Sequence, residues 1–167
     1  MASEIKVDTI VNAGGDNDTG IELATNDQIL LKVANATKLT MNSTGQTTIV
    51  GEGGTTTTSL QQGLCKVWCH FTGSGTPSID DSFNSASITD RGTGTHTLNF
   101  SNNFGNANYA GQVLTGNDTA TSVARSRNVD DTPTTSAFAV RNMSCLDPAT
   151  TTVDDANNLY TLHGDLA

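Results

Sequence analysis

GIELATNDQILLKVANATKLTMNSTGQTTIV (20–50) decides the fold. Four of its runs alternate apolar and polar residues: GIELA (20–24), QILLKVA (28–34), KLTMN (38–42) and QTTIV (46–50). The turn formers TND (25–27), NAT (35–37) and NSTG (42–45) separate them. Period-two alternation marks a strand with one face to cover. Ile21 and Leu23 share a face, as do Ile29, Leu31 and Val33, and then Leu39 and Met41; Ile49 occupies the same place in the fourth run. Each strand brings only a few aliphatic side chains, too few to close a core within one chain. A segment this short buries too little surface to offset its chain entropy. Without disulfides or a metal the remedy is association of copies, and cyclic symmetry lets identical strands meet about an axis. The expectation is a trimeric stem over 20–50 with Ile21, Leu23, Ile29, Leu31, Val33, Leu39, Met41 and Ile49 at its interface. The competing arrangement places residues 1–50 in one monomeric β sandwich with the rest.

Working outward, residues 1–19 read as an extended arm whose Ile5, Val7 and Ile10 are candidates for attachment to a larger particle; the arm runs into the dense turn signal NAGGDNDTG (12–20). GEGGTTTT (51–58) opens a linker over 51–63. Beyond it the β-patterned runs lengthen, with strands expected at 64–71, 84–90, 95–100, 108–115, 121–127, 136–142 and 158–164. SASITDRGTGTHTLNF (85–100) is a hairpin signal, because Gly92 and Gly94 can take positive φ in the connection. Ala86 and Ile88 share a face, as do Leu98 and Phe100; Phe138 with Val140 and Tyr160 with Leu162 repeat the spacing. Short strands with turn signals between them predict a β-sandwich head over 64–167. Trp68 and Phe71 fall on opposite faces, so one is core and the other faces a neighbouring chain or the sandwich edge. The fold class is all-β, an N-terminal extended short-strand region followed by the sandwich.

Composition narrows the function. Hydrophobic residues are 35% of the chain, below the ~45–50% of ordinary globular domains, yet charged residues are only 15%, which is not the signature of disorder. Net charge is −9, and the eight basic residues are scattered. Nucleic acid is therefore excluded as a partner, since binding it needs clustered Lys and Arg. MASEIKVDTI lacks the apolar core of a signal peptide, and no stretch approaches the ~18 apolar residues of a membrane span. Cys65 and Cys69 sit four residues apart on one predicted strand, ~13 Å, beyond the ~7 Å reach of a disulfide. They read as small buried hydrophobes.

Little in the chain points to chemistry. The doubled aspartates Asp80–Asp81, Asp130–Asp131 and Asp154–Asp155 read as solvated turns that cap their own backbone, with a weak cation site as the alternative. His70, His96 and His163 are scattered. No G-x-S-x-G, G-K-[ST] phosphate loop or H-E-x-x-H occurs. Neither a catalytic residue nor a cofactor or metal is expected.

ATKLTMNSTGQTTIVGEG (36–53) resembles a strand–turn–strand motif of bacteriophage tail-fibre and related virion proteins, in which an apolar strand, a polar N-S-x-G turn and a second strand run into Gly-rich chain. The opening MASEIKVDTI is similar to the start of marine and cyanophage-type structural proteins. KVWCHFTGSGTPSIDDSFNSASITDRGTGTHTLNFSNNFGNANYA (66–110) is similar to a C-terminal module of such fibres, with its aromatic-containing strand, D-S-F-N turn, S-I-T-D hairpin and N-F strand in that order. The resemblance implies a non-enzymatic virion structural protein, a homotrimer made in the host cytoplasm and assembled onto the particle. Its partners are then its own copies, other virion proteins and a host-surface glycan or protein. Polar loops of the head are the receptor candidates, represented by Arg91, Thr93, Asn103, Asn106, Asp130 and Asp131. The alternatives are a trimeric capsid decoration protein and, more remotely, a polysaccharide depolymerase.

Overall fold

A computed structural model describes residues 7–11, 14, 18–25, 27–51, 53–116, 125–129, 131–144 and 151–167, with backbone alone for 125–129, 144 and 151. The chain divides into two units, residues 1–63 and 64–167. Both are built from antiparallel sheets, the all-β class that the period-two pattern predicts.

In the N-terminal unit β1 (Thr9–Val11), β2 (Gly20–Glu22), β3 (Ile29–Val33), β4 (Ala36–Met41), β5 (Thr47–Val50) and β6 (Thr57–Ser59) form one meander in sequence order. Turn chemistry fixes its hairpins. Ala34 and Asn35, at φ +52° and +57°, make the two-residue connection between β3 and β4, where positive φ matches the strand twist. Asn42 organises the next turn: its Oδ1 accepts from the Thr44 and Gln46 amides (3.2 and 2.9 Å), and Gly45 closes it at φ +78°. Two strands lie outside the segment expected to carry them. β1 falls in the stretch read as an arm and β6 in the stretch read as a linker. Neither shows apolar alternation of its own, and both form by completing the edges of the sheet. A single turn of helix, α1 (Leu60–Gly63), ends the unit.

The C-terminal unit comprises two sheets that share one core. One has the order β12 (Arg125–Val129), β13 (Ala137–Ser144), β10 (Thr95–Phe100), β9 (Ser85–Asp90), with β14 (Thr151–Thr152) also on β13. The other has the order β11 (Ala110–Gly116), β15 (Asn157–His163), β7 (Val67–Thr72), β8 (Ser78–Phe83). Val67, Cys69 and Phe71 from β7, Leu98 and Phe100 from β10, Phe138 and Val140 from β13, and Tyr160 and Leu162 from β15 are buried together. Phe71 meets Tyr160 edge to face at 5.2 Å, a geometry the ring quadrupoles favour. The terminal strand β15 pairs with β7 and β11.

The hairpin read in 85–100 forms as β9–β10, with Leu98 opposite Ile88 and with Gly92 and Gly94 at positive φ. One detail differs: the pairing skips Ala86, which is exposed rather than sharing the inward face of Ile88. The D-S-F-N segment is not a hairpin turn. It is the end of β8 and a one-residue corner at Asn84 (φ +56°) from which the chain passes into the other sheet as β9. Asn84 fixes that corner with its amide. Oδ1 accepts from the Asn102 amide (2.6 Å), while Nδ2 donates to the carbonyls of Lys66 and Asn102 (3.2 and 3.1 Å).

Candidate interaction surfaces

The register of the N-terminal sheet places Ile10, Ile21, Leu31, Leu39 and Ile49 directly opposite one another, one residue from each of five strands. Side chains two apart on a strand share a face. Ile29, Val33 and Met41 therefore flank that row, and Leu23, just past β2, lines a depression with Ile29 and Met41. All eight residues singled out as interface candidates thus lie on one face, and Ile10, read as an attachment residue, joins them. Val7 is exposed just before β1, and Ile5 lies outside the described residues. The opposite face carries Thr9, Glu22, Lys32, Thr40 and Thr48, with Lys32 paired to Glu22, and also the aliphatic side chains of Val11, Leu30 and Val50. No described residue of this unit is buried. On the apolar face Ile10, Leu23, Ile29, Leu31, Val33 and Met41 are exposed and Ile21, Leu39 and Ile49 are half-buried.

The second surface is the outer face of the β11–β15–β7–β8 sheet. Two cross-strand rows run over it: Gln112, Thr161, Trp68, Phe83, and Leu114, Leu159, His70, Asp81. Trp68 is 37%, Phe83 51%, Leu114 67% and Leu159 43% exposed, whereas the alternate residues of the same strands form the core. The opposite-face reading of Trp68 and Phe71 holds, with Phe71 inside. The polar end of this patch depends on a bulge. His70 faces Asp81 while Phe71 faces Ile79, so Asp80 is an extra residue. A bulge breaks the alternation of faces, and both carboxylates are exposed. Asp80 is therefore not in a polar turn as read from the sequence; it accepts from Thr72 Oγ1 at 3.3 Å and lies 3.9 Å from His70 Nε2.

The receptor-loop candidates separate. Arg91 and Thr93 are in the β9–β10 turn, and Arg91 reaches Asp131 at 3.4 Å. Asn103 and Asn106 follow the far end of β10, a strand of six residues or ~20 Å. Asp130 lies outside the described residues, as does Cys145.

A third cluster is internal. Asn142 Nδ2 donates to Asn158 Oδ1 (2.9 Å), and Asn158 Nδ2 donates to the carbonyls of Asp155 (2.6 Å) and Phe71 (3.3 Å). His96 lies beside them with Nε2 3.2 Å from the Gly73 carbonyl. The solvated-turn reading of Asp154–Asp155 fails for one of the two: Asp155 is buried, whereas Asp154 is exposed and accepts from the Gly94 amide in the β9–β10 turn at 2.6 Å. The alternation of β13 and β15 carries the signal for this cluster, because Phe138–Val140–Asn142 and Asn158–Tyr160–Leu162 each continue an inward row into an asparagine. Its members bond to backbone and to one another, although His96 Nδ1 and Asn142 Oδ1 are buried without a partner among the described residues, and the pattern suits a structural knot. Among the described residues no group of three metal-ligating side chains converges.

No protein-family model matches the chain, and no curated protein or solved structure matches it.

Proposed function

We propose that this protein is a non-enzymatic structural component of a phage particle, a short homotrimeric fibre or spike whose N-terminal sheet is the assembly surface and whose C-terminal unit meets the host. The observation that carries the reading is the apolar row across five strands of the six-stranded sheet, from Ile10 to Ile49, on a unit without one buried residue among those described. Covering that face removes roughly 400–500 Å² of aliphatic surface per copy, about 10 kcal/mol at ~25 cal/mol per Å² before the cost of association. A net charge of −9 opposes indiscriminate sticking, so the contact must be registered rather than adhesive. The segment assigned to particle attachment is the arm over residues 1–19, of which Thr9–Val11 pairs into the sheet as β1.

Leu31 stands at the centre of the row. Light scattering should give three chain masses for the parent protein and one for Leu31→Asp, because a carboxylate there leaves a buried charge unpaired. A parent protein that stays at one chain mass at millimolar concentration sinks the assembly. Copy number on purified particles then separates the appendage, in tens, from a lattice protein, in hundreds.

A further inference from the structure

From the outer face of the four-stranded sheet in the C-terminal unit, we infer that Trp68 and Phe83, with Asp80, Asp81 and His70 beside them, form a binding site for an uncharged saccharide chain. The inference deepens the proposed function, which assigns host contact to the C-terminal unit, and rests on it; it moves that contact from the polar loops to a sheet face.

Trp68 and Phe83 are cross-strand partners, so their Cβ atoms stand ~5 Å apart on a common face. Trp68 also lines a depression with His70, Asp81, Leu159 and Thr161. An aromatic ring has a negative face, which attracts the weakly positive C–H groups of a pyranose. The ring hydroxyls then need acceptors at the edge of the platform. Asp80 and Asp81 supply charged acceptors, which bind hydroxyls more strongly than neutral ones do, and the bulge at Asp80 is what puts two of them there. Thr161 and Gln112 extend the polar rim in the same row as Trp68.

Charge chooses among occupants. Neither row contains Lys or Arg, and Lys66, two residues before Trp68, is buried. Carboxylates at the rim repel acidic sugars and phosphates and accept from neutral ones. A second copy of the chain fits poorly. Pairing two copies through this face would set the Asp80 and Asp81 of one against those of the other. Weak contact per site is sufficient when several copies act together.

Trp68 is the only tryptophan, so its emission reports this site alone. The full-length protein is titrated with maltohexaose, cellohexaose and mannohexaose, and with hexagalacturonate as the anionic counterpart. The expected result is a saturable change in Trp68 emission with at least one neutral hexasaccharide in the millimolar range, at least tenfold weaker in Phe83→Ala and in Asp81→Ala. Phe83 and Asp81 are exposed, and unchanged circular dichroism identifies variants that remain folded. As a second measurement, Trp68→Ala loses retention on a column of the immobilised responding sugar. No response to any neutral chain, a response to hexagalacturonate alone, or a Trp68 emission change that follows protein concentration without sugar each overturns the site. A trimer with no sugar response removes this inference and leaves the assembly reading; a monomer that responds does the reverse.

Discussion

Burial pushes the Cys69 thiol up to about 11 from an ordinary 9.0 and the Tyr109 phenol up to about 12 from 10.0. For Cys69 the nearby Asp80 adds to the shift and a hydrogen bond with Ser85 offsets part of it. Both groups are neutral when protonated, and the folded state holds those protons to higher pH than the unfolded chain does. Their contribution to stability is therefore fully present below pH 9 and is lost as pH rises through 9 to 12. Tyr109 is the more consequential, since its hydroxyl lies 3.0 and 3.1 Å from the carbonyls of Ala137 and Thr134 and ionisation removes the donated proton. Urea unfolding followed by Trp68 emission should give the same stability at pH 7 and 8.5 and a loss on the order of 1–2 kcal/mol by pH 11. Stability that holds constant or rises over that interval contradicts the burial of these two side chains.

At the scale of elements, the corner between β8 and β9 is the joint that lets one run of chain serve both sheets. It rests on Asn84, which takes a left-handed φ of +56° and satisfies backbone groups of two other segments. A side chain with a Cβ costs ~1–2 kcal/mol in that region, less for Asn, and each orphaned backbone group costs about another 1. Asn84→Ala should lower stability by about 2–4 kcal/mol, and Asn84→Gly by less, because glycine keeps the conformation and loses only the hydrogen bonds. Equal effects, or effects below 0.5 kcal/mol in both, measured in urea, refute that role. Asn84 also marks where sequence reading stopped. The strands that alternate strongly, β3, β4, β10, β13 and β15, were legible because one face must be covered and the pattern says which. β8 was not, since Ile79-Asp80-Asp81-Ser82-Phe83 holds a bulge that breaks the period, and Asn84 reads as a turn former whether it closes a hairpin or turns a corner. β1 and β6 were invisible for another reason: edge strands of three residues are specified by the neighbour they pair with rather than by their own side chains. The apolar row of the N-terminal sheet was legible except for Ile10, which lies in the stretch read as an arm. The Trp68–Phe83 platform was half legible, because the face of Trp68 follows from alternation whereas its partner depends on a register that only the fold supplies.

For the whole molecule, the proposed assembly makes only one of the two units depend on association. All five Phe, both Tyr and the single Trp lie between Trp68 and Tyr160, so the C-terminal unit carries its own aromatic core while residues 1–63 contain no aromatic side chain. On the proposed assembly the N-terminal sheet draws its stability from neighbouring copies, and mass action makes that testable without a mutation. If three copies must meet for the sheet to be stable, a tenfold increase in protein concentration stabilises it by about 0.9 kcal/mol per chain, two-thirds of RT ln 10. For a unit of this size that is a rise of roughly 4 °C or more in its melting midpoint. Trp68 emission reports the C-terminal unit alone, whereas calorimetry detects both. Heating the full-length protein over a hundredfold range of concentration should therefore reveal a calorimetric transition, silent in Trp68 emission, that climbs with concentration, and in Leu31→Asp that transition should drop out. A parent protein in which every transition keeps its midpoint across the range overturns the assembly, and the aliphatic face is then covered within one chain or left in water. The hydrophobic cost of leaving it in water is the one the assembly reading exists to remove.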